Sequence, residues 1–389
     1  MTGVANTTVD FQKERSRALT KKILKRLRIP LIIIIILLIA ALIYLAMGEV
    51  RRSNIADTFR AIPKTFSGSD GFPYNEDELS LDRVMLIGDK PLIVSDSGVE
   101  VISNNADKLL EFHLNWGDTR VSSFNGRALV YSNTSTKAYL LSRTVQLASY
   151  DEENPVVTGD VAENGAVALS YSTEGAQSVV KVYRPSGKLQ WQWQCKKEYV
   201  SSLSLTGGGS KIAISALGVD NAEVYSRIIL FKTGKTESQF DTELKGTAVL
   251  KIICAREDKI IAIGDNRTVI FSSDGEIKGE MKYADNALCF TDSDSSGNTL
   301  ICYKEFGGSK VKAVRIPPVG RVKSFEIDYL PESADIRGSL IAFASGNTVE
   351  VYTSGGAVKR TYECKQDVKT VLLSNSGIYT LENGSVCRY

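Results

Sequence analysis

Histidine is almost missing from this chain: there is one, His113, in 389 residues. That excludes most histidine-dependent catalysis and histidine-rich metal sites, because no other side chain titrates near neutrality unperturbed or ligates as a neutral ring nitrogen. An excess of one charge is missing too, with 47 Lys+Arg against 45 Asp+Glu and a formal net charge of +2. The six cysteines (Cys195, Cys254, Cys289, Cys302, Cys364, Cys387) include no Cys-x-x-Cys pair and no histidine neighbour, which argues against a metal site. Long hydrophobic runs are absent with one exception. After it, no window sustains a 3.6-residue apolar period, so a helical repeat is excluded. At 43% hydrophobic and 24% charged, the bulk is globular, not disordered.

The near-zero charge conceals a partition. Residues 1–28 carry eight basic side chains and two acidic ones (Asp10, Glu14), a net of +6, which leaves −4 on the remainder. A nucleic-acid binder carries its basic surface on the folded domain, so no nucleic-acid partner is expected. The exceptional run is 29–48, IPLIIIIILLIAALIYLAMG, twenty residues without a charge. At the rise of an α-helix this length matches the hydrocarbon core of a bilayer. Pro30 falls in the first turn, where its missing N–H costs little, and Tyr44 lies toward the far interface. Ala46-Met47-Gly48 suits signal cleavage, but signal-peptide cores run to only about 7–15 residues. Five basic residues crowd 21–28, against Arg51 and Arg52 diluted by Glu49, so the N-terminus is expected in the cytoplasm. The expected order is a cytoplasmic tail (1–28), a transmembrane helix (29–48), a polar stalk (49–70) and an extracytoplasmic domain (71–389).

That domain repeats itself. Eight apolar runs, KPLIVS (90–95), GRALVYS (126–132), GAVALSY (165–171), SKIAISA (210–216), DKIIAIG (258–264), GNTLICY (297–303), GSLIAFA (338–344) and GIYTLE (377–382), are each followed by a more alternating run such as VEVIS (99–103) or TVEVYT (348–353). Runs this short, rich in Val, Ile and Tyr and bounded by Gly, Ser, Asn and Asp, read as strands. Equivalent positions from Ile102 to Tyr389 recur every 37 to 48 residues. Four strands per roughly 40–45 residues is the signature of a β-propeller blade. The last unit offers only three strands, and the segment Gly71–Asn75 is expected to supply the fourth and close the ring. The expected fold class is therefore all-β: a propeller of four-stranded antiparallel blades, eight favoured and seven the alternative, behind one transmembrane α-helix.

The units resemble the PQQ-like and WD40-like propeller superfamily, with SGKLQWQW (186–193) similar to the Gly-Lys-x-x-Trp stretch of PQQ-like repeats. The whole arrangement resembles a family of uncharacterised membrane-anchored propellers from clostridial bacteria. No Trp-Asp dipeptide, vicinal cysteine pair or regular Trp per blade occurs, so no cofactor is expected.

Candidate constellations are few. Asp292-Ser293-Asp294-Ser295-Ser296-Gly297 imitates the first half of a calcium loop, but Leu300 and Tyr303 stand where later ligands belong, so a hairpin is the better reading. Gly207-Gly208-Gly209-Ser210-Lys211 precedes a strand and not a helix, which makes it a turn and not a phosphate loop. Trp191 and Trp193 share one strand face and are expected to pack between blades. His113, in an outer strand, is expected to be structural, and no catalytic residue is assigned. The longer loops, Ser132–Thr136, Asp151–Pro155, Ser172–Ala176, Leu217–Ala222, Glu243–Gly246 and Lys304–Gly308, fall at one end of the strands. Function collects on loops over a rigid scaffold, so the expected binding face comprises Asp151, Glu152, Asp220, Asn221, Lys304, Glu305 and Phe306. The expected function is a membrane-anchored binding or assembly scaffold at the cell envelope. The alternative is a lyase or hydrolase acting in the central channel. The inner strands SSLSL, LKIICA, ALCFT and KTVLL read as apolar or hydroxylic, which favours binding.

Overall fold

The computed structural model describes residues 56–62, 71–75, 83–95, 97–256, 259–283, 286–305, 307–308 and 310–389, with positions 30, 34, 35, 38 and 39. Two compact units divide the chain, 1–55 and 56–389. In the second, the apolar runs and their alternating partners form eight four-stranded antiparallel sheets. Blades one to seven run strictly in chain order from inner to outer strand: 83–113, 119–151, 158–195, 199–245, 249–282, 286–327 and 333–363. Blade eight is composite. Three strands come from 368–388, and Tyr74–Asn75 pairs with Val386 and Ser385 as the fourth. Both ends of the propeller therefore share one sheet, which leaves no open edge on the C-terminal strand. Arg337, at the end of the inner strand of blade seven, also ties blade one to the ring, donating from Nη2 to Asp89 Oδ1 at 2.5 Å, while Ser374 Oγ of blade eight donates to the Asp89 carbonyl at 3.2 Å.

Why these residues stack is plain from burial. The second strand of each blade is near-continuously apolar because it is covered on both faces, as in Lys90–Ser95 and Arg127–Ser132. The larger hydrophobic clusters each draw on two adjacent blades: Val180, Val182 and Trp191 of blade three meet Ile212, Ile214 and Phe231 of blade four. Each such side chain contributes about 1.5–3 kcal/mol on burial. Trp191 is 4.9 Å and Trp193 5.8 Å from the Phe231 ring, and Trp191 Nε1 donates to the Lys235 carbonyl, so the tryptophan pair packs between blades as expected.

Inner strands of neighbouring blades are not joined by a backbone ladder. Side chains do the joining. Ser202 and Ser204 of blade four accept the backbone N–H of Ile252 and Cys254 in blade five, each at 3.1 Å. Asp160, Asp292 and Asp335 do the same for Leu205, Ile336 and Leu373 of the next blades.

Residues 56–62, inside the stretch expected as a stalk, form a short helix packed on the propeller. Asp57 in it is buried: its Oδ1 accepts from Ser142 Oγ (2.9 Å) and Thr144 Oγ1 (2.7 Å), and Oδ2 lies 3.6 Å from the buried Arg127 guanidinium. The expected span 29–48 lies mostly outside the described residues; Pro30, Ile34, Ile35, Leu38 and Ile39 are helical, and these four aliphatic side chains are exposed. Among the described residues no helix is long and apolar enough to cross a membrane.

Candidate functional site

The two ends of the ring differ. Turns joining the first strand to the second and the third to the fourth share one face, which holds tight glycine turns and the helix 56–62. The second-to-third and fourth-to-first connections share the opposite face, where the binding residues were expected. On that face the dominant feature is the hairpin of blade four. Its strands, Lys211–Asp220 and Glu223–Lys232, are ten residues each. The inner strand pairs only as far as Tyr199 with Leu217, so Gly218–Asp220 project past it. What read as a loop over 217–222 is therefore two extended strands closed by two residues. The physical reason is backbone handedness: Asn221 (φ 48°) and Ala222 (φ 64°) form a left-handed two-residue turn that matches strand twist. Val219 pairs with Val224, and alternation brings Tyr199, Leu217 and Val219 to one side. Val219 is 68% exposed, and Tyr199 and Leu250 are also open to solvent. A Cβ at Gly218 would stand 2.5 Å from the Tyr225 ring, so any side chain there would have to displace it.

The other expected face residues divide. Asp220 is exposed at the tip, opposite Glu223. Asp151 is exposed and accepts from Thr136 Oγ1 at 2.9 Å. Glu152 is buried, with Lys181 Nζ at 2.9 Å and the Tyr183 hydroxyl as donors; it holds blades two and three together and presents nothing outward. Lys304 is half-buried and Glu305 ends the second strand of blade six. Phe306 lies outside the described residues.

A cavity of about 780 Å³ occupies the channel and opens among the short turns. Its walls are the ends of the inner strands, with Ser122, Asp160, Ser204, Lys251 and Asp292, and its rim carries Glu163, Gly207, Gly208 and Asp294–Gly297. The channel is thus more acidic than SSLSL or KTVLL suggested. The missed signal was positional: Gly159-Asp160-Val161, Thr291-Asp292-Ser293 and Ala334-Asp335-Ile336 place an aspartate at the same step before the first turn in three repeats. Burial pushes the Asp160 carboxyl up, against Ser122 Oγ and the Leu205 N–H, which both donate to it. Asp335 is raised well above the usual carboxylate range, first by burial and then by the Asp292 carboxylate, to which it is hydrogen-bonded. Each of these acids accepts a backbone N–H, so their first role is to hold the ring.

The remaining constellations resolve the same way. In the calcium-like loop, Asp294 Oδ1 accepts Ser296 and Asn298 N–H, and Oδ2 accepts Asn298 Nδ2 and Gly338 N–H, so donors stand where a cation would. Among the described residues no group of three or more His, Cys, Asp or Glu is arranged to hold a metal ion. Gly207–Lys211 is the turn into the second strand of blade four. His113 ends the outer strand of blade one, with Nε2 3.4 Å from Glu111.

The family of unknown function DUF5711 matches residues 74–385, the propeller from its closing strand to near its end. The chain belongs to this family. No curated protein matches it. Among solved structures, apo AztD from Citrobacter koseri is similar at 12% identity and a TM-score of 0.50, over 74% of this chain and 87% of that one. BamB from Moraxella catarrhalis is similar at 12% identity and a TM-score of 0.49, over 82% of this chain and 100% of that one. The β-propeller domain of Cps50 (Swd1) from Myceliophteria thermophila shares 8% identity, with a TM-score of 0.49, over 82% of this chain and 98% of that one. At such identities these likenesses bear on the fold of the DUF5711 chain alone.

Proposed function

We propose that this DUF5711 chain is a single-pass membrane protein, N-terminus in the cytoplasm, that displays its propeller outside the cell as a binding or assembly scaffold. The observation that carries the binding role is the blade-four hairpin. It extends beyond its neighbours, exposes Val219 beside Tyr199, and is set on a rigid ring whose inner acids are engaged with backbone N–H groups. Rigid display of an apolar ridge with a polar tip is how interfaces place their anchors. The uncharged run 29–48 and the basic flank 21–28 support the anchor and its orientation.

The test has two arms. Alkaline carbonate should leave the chain in membranes, and protease added to intact cells should cleave the propeller while sparing the tail. A photo-crosslinker at Val219 should then capture a discrete partner that is lost on Val224→Asp, whereas one at Ser296, on the cavity rim, should not. Capture from Ser296 alone would favour a channel ligand and overturn the reading.

A further inference from the structure

The short-turn face also carries a pattern that the sequence reading passed over. At the start of the outer strand in four blades an exposed aliphatic residue adjoins a lysine: Lys188-Leu189 in blade three, Ile277-Lys278 in five, Val322-Lys323 in six and Val358-Lys359 in seven. Leu189, Ile277, Val322 and Val358 are each at least half exposed. Blade six adds a protruding loop, 317–322, whose tip residue Val319 is 70% exposed beside Arg321. Arg184, Lys232 and Lys235 add positive charge in blades three and four, offset in part by exposed Glu237 in the same blade-four turn, and no ion pair among the described residues engages these three cations. Blade five departs from this, because Lys278 is paired with Glu276 and Asp274 lies nearby. On the same face, the helix 56–62 exposes Phe59 and Ile62. This is the side-chain combination of a surface seated at a lipid headgroup layer, aliphatic tips flanked by long cations.

The covalent chain says which face is near a membrane. Only residues 49–55 separate the end of the apolar run at Gly48 from Ala56, and eight fully extended steps cover roughly 27 Å. Asp57 then fixes that point of entry to Ser142 and Thr144, in a turn of the short-turn face.

We propose that the short-turn face of the propeller lies against an anionic lipid bilayer, with Val319, Val322, Leu189 and Val358 at the headgroup layer and Lys188, Arg321, Lys323 and Lys359 facing lipid phosphates. The long hairpin of blade four then points away from the membrane, toward partners. This inference rests on the anchor proposed above.

Hydrogen exchange of the full chain in nanodiscs tests it. Nanodiscs of phosphatidylcholine alone are compared with ones containing about a third phosphatidylglycerol. Exchange over 183–189, 317–323 and 354–360 should slow about five-fold in the anionic discs, the factor that one basic residue's attraction to anionic lipid corresponds to. Exchange over 217–225 should not change. The triple variant Lys188→Glu, Lys323→Glu, Lys359→Glu should lose the slowing while unfolding in detergent at the parent temperature, since all three side chains are exposed. Equal exchange in both discs, or slowing confined to 217–225, overturns the proposal. A chain retained by membranes in carbonate but showing no slowing refutes this inference alone; a chain washed off refutes the anchor as well.

Discussion

Asp57→Ala is the most informative single substitution. The carboxylate is 1% exposed and faces Arg127, 2% exposed, at 3.6 Å, with two hydroxyl donors completing its contacts. Burial already pushes the Arg127 guanidinium's pKa down, with Asp57 as the first opposing influence. Truncation removes that counter-charge from a buried cation, which costs about 3–5 kcal/mol where one member of a buried pair is deleted. The compact unit spans 56–389. At about 2.1 cal/mol/K per residue its unfolding entropy is roughly 0.7 kcal/mol/K, so the melting temperature should fall by about 4–7 °C. Asp57→Asn keeps the acceptor for Ser142 and Thr144 and should fall by about half as much. Scanning calorimetry of the full chain in detergent measures both, and hydrogen exchange should show 56–62 and 142–145 opening in the alanine variant. A drop below about 1 °C for Asp57→Ala would refute the claim that this pair fastens the helix to the ring.

Asp335→Asn should flatten the pH dependence of stability. A folded-state pKa raised above the unfolded value means that stability is fully present below the unfolded pKa, near 4, and is lost as pH rises through the folded value. Asparagine still accepts the Leu373 N–H and can donate to Asp292, so at pH 7 the variant should melt no lower than the parent and should lack the parent's decline above pH 4. Ala222→Gly should raise stability by up to about 1 kcal/mol in urea titrations, because glycine adopts φ 64° without strain; a lower midpoint would show that the Ala222 methyl group packs usefully. Gly297→Ala should destabilise by more than about 2 kcal/mol, because its Cβ would stand 1.9 Å from the Ala255 carbonyl oxygen at φ 83°. Near-neutral behaviour in the same titration would mean that the blade-five strand yields easily.

Much of the fold was legible in the sequence. The apolar second runs and the 37-to-48-residue spacing favoured eight blades because strand burial shows in local composition, and the closing role of Gly71–Asn75 followed from a last unit one strand short of four. The tryptophan pair and the glycine turns followed the same local logic. The site was less legible. Asp151 and Glu152 are adjacent and both acidic, yet one faces water and the other is buried under Lys181 and Tyr183, a difference set by strand phase at the blade seam. Asn221-Ala222 lacks the glycine that announces a tight hairpin, so the projecting ridge was read as a loop.

By itself, then, the sequence determined the periodicity and the charge partition between residues 1–28 and the rest, since each depends on residues close together in the chain, and the closing strand by counting, since a last unit one strand short needs a fourth from the other end of the propeller. Only the tertiary structure decided what the acids do. Asp57, Asp160 and Asp335 are bound by donors dozens of residues away, and it is those long-range contacts that make Asp57 a fastening for the helix and the inner aspartates joints between blades.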